Sequence, residues 1–360
     1  MNDNFENRTE QNRTEQNRTE QNRTEQNRTK RIEWIDFCRG VGILLVILGH
    51  TIPPFNKIIY GFHMPLFFML SGFLMWDKKF TRKTIFTGLK RYIFPYFFLC
   101  TINLCLNIVF TRADTAKILN YIGGILYSKG STDYMPNCSP LWFLTCMFAA
   151  GIIFEMINCC PSKLGQLGMC SACVLVSYGL CFFEADKLFW NIDTALMAVG
   201  FMKIGAMLRL INFPDFIHNT KVRLLLFVGF IGGIVMIIIN PIKYVSFDYN
   251  RYGNIIFMII GAVTVSLCIF AVCILISEQR KIHFWKNFII FYGRHTIFIM
   301  GFDYFSQSVS ARLLDALSMN NWFILFISKM IVLTAGILLW EFIISKIKNY
   351  NNCLYKLLCF

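Results

Sequence analysis

The stretch WIDFCRGVGILLVILGHTIPP, Trp34 to Pro54, decides how the rest of this chain is read. It has the length and apolar content of a membrane helix, yet it carries Asp36, Arg39 and His50. An ionisable group in hydrocarbon is costly unless it is paired or faces a wet cavity. Arg39 and His50 are 11 residues apart, which places them within about 20° of each other round a helix and about 16 Å apart along it. Asp36 lies about 40° off the same line. The three share one stripe with Gly40, Ile43 and Ile47, and a polar stripe on an otherwise apolar helix is expected to face the interior of a helix bundle.

Working outward, the same apolar texture recurs along the chain. Hydrophobic residues make up 56% of the 360 positions and charged residues only 16%, against about half and a quarter in ordinary globular domains. The excess falls into stretches near 34–52, 58–76, 93–110, 141–158, 167–183, 190–211, 224–239, 254–276, 288–305 and 322–345. Each is long enough to cross a hydrocarbon core of about 30 Å. No period-two pattern of a barrel strand accompanies them. The expected fold is an all-α polytopic membrane protein of about ten transmembrane helices with both termini cytoplasmic. Three regions are expected: a polar tail over 1–31, a membrane domain over 32–345 and a short basic tail over 346–360.

The net charge of +14 raises nucleic acid as a partner. Its distribution argues otherwise. With the N-terminus taken as cytoplasmic, inside segments hold 23 Lys and Arg and outside loops hold 8, which is the asymmetry that orients membrane helices. The 14 cysteines suggest a disulfide or metal framework until they are placed. Cys100, Cys105, Cys146, Cys268 and Cys273 fall inside apolar segments, where cysteine packs as a small apolar residue. Cys170 and Cys173 form a CxxC on such a segment without a neighbouring histidine, and only Cys138 falls in an outside loop. No metal site and no cleavable signal peptide are expected.

Residues Asn7 to Thr29 read NRTEQ four times and then NRT. Polar, near charge balance and without apolar periodicity, the tail is expected to be disordered and catalytically idle. The period has a second meaning in the genetic code. The codons AAC-AGA-ACA-GAA-CAG spell this pentapeptide and are also AACAG written three times. Gain or loss of one five-base unit would shift the frame, so the repeat points to phase-variable expression.

Beyond the first helix, IIYGFHMPLFFMLSGFL, Ile58 to Leu74, places His63 close in depth to His50 on an antiparallel neighbour. Two histidines at one level make a candidate catalytic or binding pair. Pro65 frees a backbone carbonyl, and Ser71 and Gly72 allow close approach of a helix or ligand. On the cytoplasmic side, the loop 77–91 gathers Lys78, Lys79, Arg82, Lys83, Lys90 and Arg91. Clustered Arg and Lys are the expected partners of phosphate groups.

Several of these features together resemble the acyltransferase 3 family of membrane-bound O-acyltransferases, in its fucose 4-O-acetylase-like branch. The residues that carry the resemblance are Arg39-x10-His50, FHMPLFFMLSGFL, KRYIFPYF at Lys90–Phe97 and PLWFL at Pro140–Leu144. It spans about residues 32–345. The resemblance implies ten helices, acetyl-CoA as donor on the cytoplasmic side, a surface or lipid-linked glycan as acceptor on the other, and a multi-pass location in a bacterial inner membrane. It implies a catalytic role for His50 and Arg39 and donor binding by Arg91 and Lys90. Members often carry two arginines three apart before the third helix, whereas here Gly88 stands three before Arg91. Where members often have a late histidine, this chain reads GRHTIFIMGFD with Asp303, and no role is transferred there.

On this reading the chain transfers acetyl from acetyl-CoA to a glycan hydroxyl, with no bound cofactor. A hydroxyl is a poor nucleophile at neutral pH and needs a base in hydrogen-bond reach, which neutral imidazole supplies. His50 would deprotonate the sugar or take the acetyl itself. Asp36 would orient Arg39, and Arg39 would hold donor phosphate or stabilise developing charge. His63 would orient His50 or bind the acceptor. A transporter or flippase is the rival reading, kept open by Glu341, Lys203 and Lys329 within apolar segments. The absence of a second copy of the helix 1–2 signature speaks against it.

Overall fold

The computed structural model describes residues 33–111, 114–279, 282–319 and 321–350. The NRTEQ tail and residues 351–360 of the basic C-terminal tail lie outside the described residues, whereas 346–350, expected as tail, continue the last helix. Those described form helices throughout, with a single isolated antiparallel bridge between Ser246 and Arg251. In chain order they are α1 (33–49), α2 (Asn56–Leu74), α3 (Arg82–Phe110), α4 (Thr115–Tyr127), α5 (Ser139–Ile157), α6 (Lys163–Phe182) and α7 (Phe189–Leu210). There follow the short α8 (Phe213–Phe216), then α9 (Thr220–Ile239), α10 (Ile255–Glu278), α11 (His283–Arg294), α12 (Thr296–Ala316) and α13 (Trp322–Tyr350). Eight of these, namely α2, α3, α5, α6, α7, α9, α10 and α13, are long and apolar enough to cross a membrane. The chain is an all-α polytopic membrane protein.

Three expected boundaries are corrected. The first helix ends at Gly49 rather than at 52, and the backbone then turns, with Ile52 at a left-handed φ of 55° ahead of Pro53 and Pro54. The third begins at Arg82 rather than near 93, so much of the basic loop is helical. Thr81 and Thr84 close a reciprocal capping box at its start. Within it, Leu89–Ile93 forms a π-turn. Pro95 follows two residues on, and its ring would clash with the Arg91 carbonyl in an unbroken α-helix, which accounts for the wider turn. The span expected over 288–305 is two helices, α11 and α12, parted at His295 (φ −108°, ψ 22°). The His295 side chain bonds the Phe291 carbonyl at 2.8 Å. An additional helix, α4, lies in the segment read as a loop.

The centre of the bundle is α2 against α7. A Cβ on Gly72 would overlap the Met202 carbonyl, and one on Gly205 would overlap the Met69 carbonyl, so the two backbones touch through glycine. A second backbone contact joins α1 to α11: Gly40 abuts the Ile289 carbonyl and Gly293 abuts the Asp36 carbonyl. This contact fixes the rotation of α1. Ile43 and Ile47, on the polar stripe, are fully buried, so the stripe faces inward as its pattern required.

Candidate active site

Two cavities lie at different levels along the same helices. The first forms where α1 ends. His50 sits in the turn after Gly49, its backbone N–H still bonded to the Val46 carbonyl at 3.1 Å. Its ring faces a cavity lined by Tyr60, His63, Trp142, Asp248 and Tyr304 together with apolar side chains. His50 Nδ1 meets Asp303 Oδ2 at 2.5 Å. Asp303, one turn inside α12 from its buried neighbour Met300, is wholly shielded from solvent, and so is Lys329 of α13. Lys329 Nζ lies 2.9 Å from Asp303 Oδ1 as an ion pair rather than an aligned hydrogen bond. Lys329 also donates to Gln307 Oε1 at 3.3 Å.

This geometry fixes the imidazole. A carboxylate beside Nδ1 holds a proton there, leaving the Nε2 lone pair for other work. His50 Nε2 makes no hydrogen bond to the described residues, and the ring retains a 13% exposed side chain at the cavity. Lys329 shares the charge of Asp303, so the carboxylate orients the ring without a full unpaired negative charge pressing on it.

His63 lines the same cavity, as its depth suggested, but does not touch His50. Its Nδ1–H donates to the Ile59 carbonyl at 2.9 Å, and the Tyr60 ring stands between the two, 5.0 Å from His63 and 6.4 Å from His50. The group bonded to His50 is therefore Asp303. The Tyr304 ring lies 5.0 Å from that of His50. The loop 240–254 covers this end. It is anchored by Lys187, which donates to Thr194 at 2.8 Å and to Asn250 at 3.2 Å and pairs with Asp193 at 3.3 Å. Thr194 in turn bonds the Phe247 carbonyl at 2.8 Å. Burial pulls the Lys187 ammonium down from its ordinary value, with Asp193 opposing. The loop brings Asp248 to the cavity, hydrogen-bonded by Ser246. Burial raises the Asp248 carboxyl above the usual range.

The second cavity is a groove of about 330 Å³ at the end where α1 begins. Lys78, Lys79, Lys83 and Arg91 line it, with Tyr92 and Phe148. Arg91 comes from the π-turn of α3. Lys90, beside it, is exposed and does not line the groove. Lys78, which the sequence places farther from the helix mouth, does line it. Glu155 is the one carboxylate among the described residues that line it, and it accepts from Thr84 at 2.5 Å. Arg39 lies within electrostatic range of Arg91 and Tyr92, and Asp36 holds it at 3.1 Å while also pairing with Arg294 at 3.5 Å. Arg39 thus belongs to the basic end and His50 to the other, and the same helices line both. On α2, Phe67 faces the first cavity and Met75 the second; on α5, Phe143 faces the first and Phe148 the second.

Sequence reasoning missed Asp303, Lys329, Tyr304 and Asp248 as site residues. The phrase PLWFL, which carried the resemblance without a site role, lies at the start of α5, and its Pro140, Trp142 and Phe143 line the His50 cavity.

A family model described as "Acyltransferase domain" matches residues 32–346. The chain is similar to nodulation protein NolL of Sinorhizobium fredii (strain NBRC 101917 / NGR234), 24% identical over 160 residues, 39% of this chain and 40% of that protein. It is also similar to nodulation protein NolL of Mesorhizobium japonicum (strain LMG 29417 / CECT 9101 / MAFF 303099), 34% identical over 84 residues, 19% of this chain and 22% of that protein. The aligned regions thus span less than half the length of these relatives. No solved structure matches the chain.

Proposed function

We propose, from the premise that this chain belongs to the acyltransferase family, that it moves an acetyl group from acetyl-CoA to a hydroxyl of a surface or lipid-linked glycan. The observation that carries this reading is the His50–Asp303 contact at 2.5 Å, because an imidazole held by a carboxylate at Nδ1 is an arrangement suited to taking a proton from a hydroxyl. The basic groove would face the cytoplasm and hold the phosphates of acetyl-CoA on Arg91, Lys78, Lys79 and Lys83. The protein would sit in the inner membrane of a bacterium, with the His50 cavity toward the opposite face.

In the transfer, the sugar oxygen attacks the thioester carbonyl while its proton passes to His50 Nε2. The tetrahedral intermediate bears a negative oxygen. It collapses by breaking the C–S bond, and the imidazolium returns its proton to the departing thiolate. Arg39 is about 16 Å from His50 along α1, so it would hold the donor's charged end rather than meet the carbonyl. Neutral donors at the cavity, the Tyr60 and Tyr304 hydroxyls and the Trp142 indole N–H, would meet the intermediate's oxygen. The cavity is small, about 70 Å³. It has room for the reacting hydroxyl and a water or two, so the sugar ring would rest at its mouth beside the tyrosines.

The fixed ion pair Lys329–Asp303 and the bond from Asp303 to His50 support an enzyme's charge arrangement over a transport pathway. The NRTEQ period supports phase-variable expression of a gene that alters the cell surface. The test is release of CoA thiol from acetyl-CoA by purified protein in lipid nanodiscs, with and without candidate glycans. Glycan-dependent release is expected; acetyl-CoA left intact with every glycan acceptor would overturn the reading.

A further inference from the structure

Three lysines are buried among the described residues, and two of them meet a carboxylate: Lys329 meets Asp303 at 2.9 Å and Lys286 meets Glu33 at 2.7 Å. The third, Lys203 on α7, is 7% exposed and has no anionic partner among the described residues. Among the described residues its one hydrogen bond is to Gln166 Oε1 at 2.6 Å, with Gln166 in turn donating to the Cys160 carbonyl at 2.7 Å. An ammonium has three donors, so two remain. Lys163, at the start of α6, lies within electrostatic range and adds a second positive charge.

Lys203 opens onto a crevice of about 380 Å³ between α6, α7 and α10. Its walls are otherwise nearly all apolar: Leu167, Val174 and Leu175 on one side, Phe201, Ile204 and Met207 on the other, closed by Ile255 and Ile259. Leu167, Leu175 and Met207 are exposed, so the crevice opens sideways to where lipid would lie. From Met207 to Met197 it runs about 15 Å along α7. The cation stands near the end where α6 begins and α7 finishes, while the apolar run extends toward mid-bundle. That polarity is the polarity of a lipid: charged head at the rim, chain inward. An unpaired ammonium at this depth is costly, and an anion supplied by the bilayer removes the cost.

We infer that this crevice is a binding site for one anionic phospholipid, its phosphate on Lys203 and Lys163 and an acyl chain lying along Leu175, Phe201 and Ile259. The site is separate from both cavities of the acyl transfer and does not depend on the acceptor proposed above. Phosphatidylglycerol is a suitable probe, and it would bind from the leaflet at the basic end.

The experiment is native mass spectrometry of the full chain, titrated with phosphatidylglycerol, with phosphatidylcholine, and with inorganic phosphate. One phosphatidylglycerol should remain bound in preference to phosphatidylcholine, and inorganic phosphate should not displace it. Lys203→Gln should weaken retention by about tenfold or more, as expected for loss of a charge-assisted contact. Ser171→Phe, which fills the crevice and leaves the lysine in place, should weaken it similarly and decides the matter if Lys203→Gln does not accumulate. Equal retention of the two lipids, undiminished retention in a folded variant, or displacement by inorganic phosphate would each overturn the inference.

Discussion

His50 and Asp303 stand 253 residues apart in the chain and 2.5 Å apart in the fold. The carboxylate reaches the one ring nitrogen that leaves the other free for chemistry, and Lys329 holds it from behind at 2.9 Å. The proposed catalysis rests on this chain of three, contributed by the end of α1, by α12 and by α13.

Asp303→Asn should leave the protein in the membrane and remove most of its activity. The amide keeps the size and a hydrogen bond but no longer holds the proton on Nδ1. A loss of about 10³- to 10⁴-fold in kcat is expected where a carboxylate fixes a histidine tautomer. Activity within a few fold of wild type would show that the contact is structural only.

Lys329→Met should lower kcat and leave the KM for acetyl-CoA in place. Without the ammonium at 2.9 Å, the carboxylate that orients His50 loses the partner that holds it from behind. An unchanged kcat in a variant present at wild-type levels would separate Lys329 from the chemistry.

The donor end is tested by KM. Arg91→Ala and Lys78→Ala should each raise the KM for acetyl-CoA, since a charge-assisted phosphate contact contributes roughly 1.5–3 kcal/mol. Lys90→Ala should do little, because Lys90 does not line the groove. Equal effects from all three would mean that the basic residues act only through topology.

How much of this was legible beforehand follows from what periodicity can carry. The inward stripe of α1 was legible because Asp36, Ile43, Ile47 and His50 obey one helical period. The common cavity of His50 and His63 was legible because a short loop fixes their relative depth. The Asp303 and Lys329 partners were not, because a contact across 253 residues leaves no local pattern. GRHTIFIMGFD reads as one apolar span, and nothing in it marks His295 as the break between α11 and α12. The early start of α3 was hidden because its first turns are basic and solvent-facing, with no apolar face to read. Lys203 was visible as an intramembrane charge, but only the structure shows that no carboxylate among the described residues meets it.

Backbone contact through glycine should make Gly72 and Gly205 intolerant of any side chain. Gly72→Leu would drive a side chain into the Met202 carbonyl and part α2 from α7. Overpacking costs about 1–3 kcal/mol where side chains can yield and more where backbone is struck, so the variant should fail to accumulate. Normal membrane levels would contradict the close approach.

The tail is expected to matter through its DNA. Removing residues 2–28 from a recoded gene should leave acetylation intact, while unit-length changes in the native tract should track its loss between colonies. Codons without a five-base repeat would end the switching proposal.

The central claim is that His50 handles the sugar's proton, and His50→Gln tests it most directly. Glutamine can donate and accept hydrogen bonds but cannot act as a base near neutral pH. The measurement is O-acetyl content of the cell's surface glycan, taken beside the membrane level of the variant. The account predicts no O-acetylation with the protein present at wild-type abundance; substantial O-acetylation by His50→Gln would contradict it.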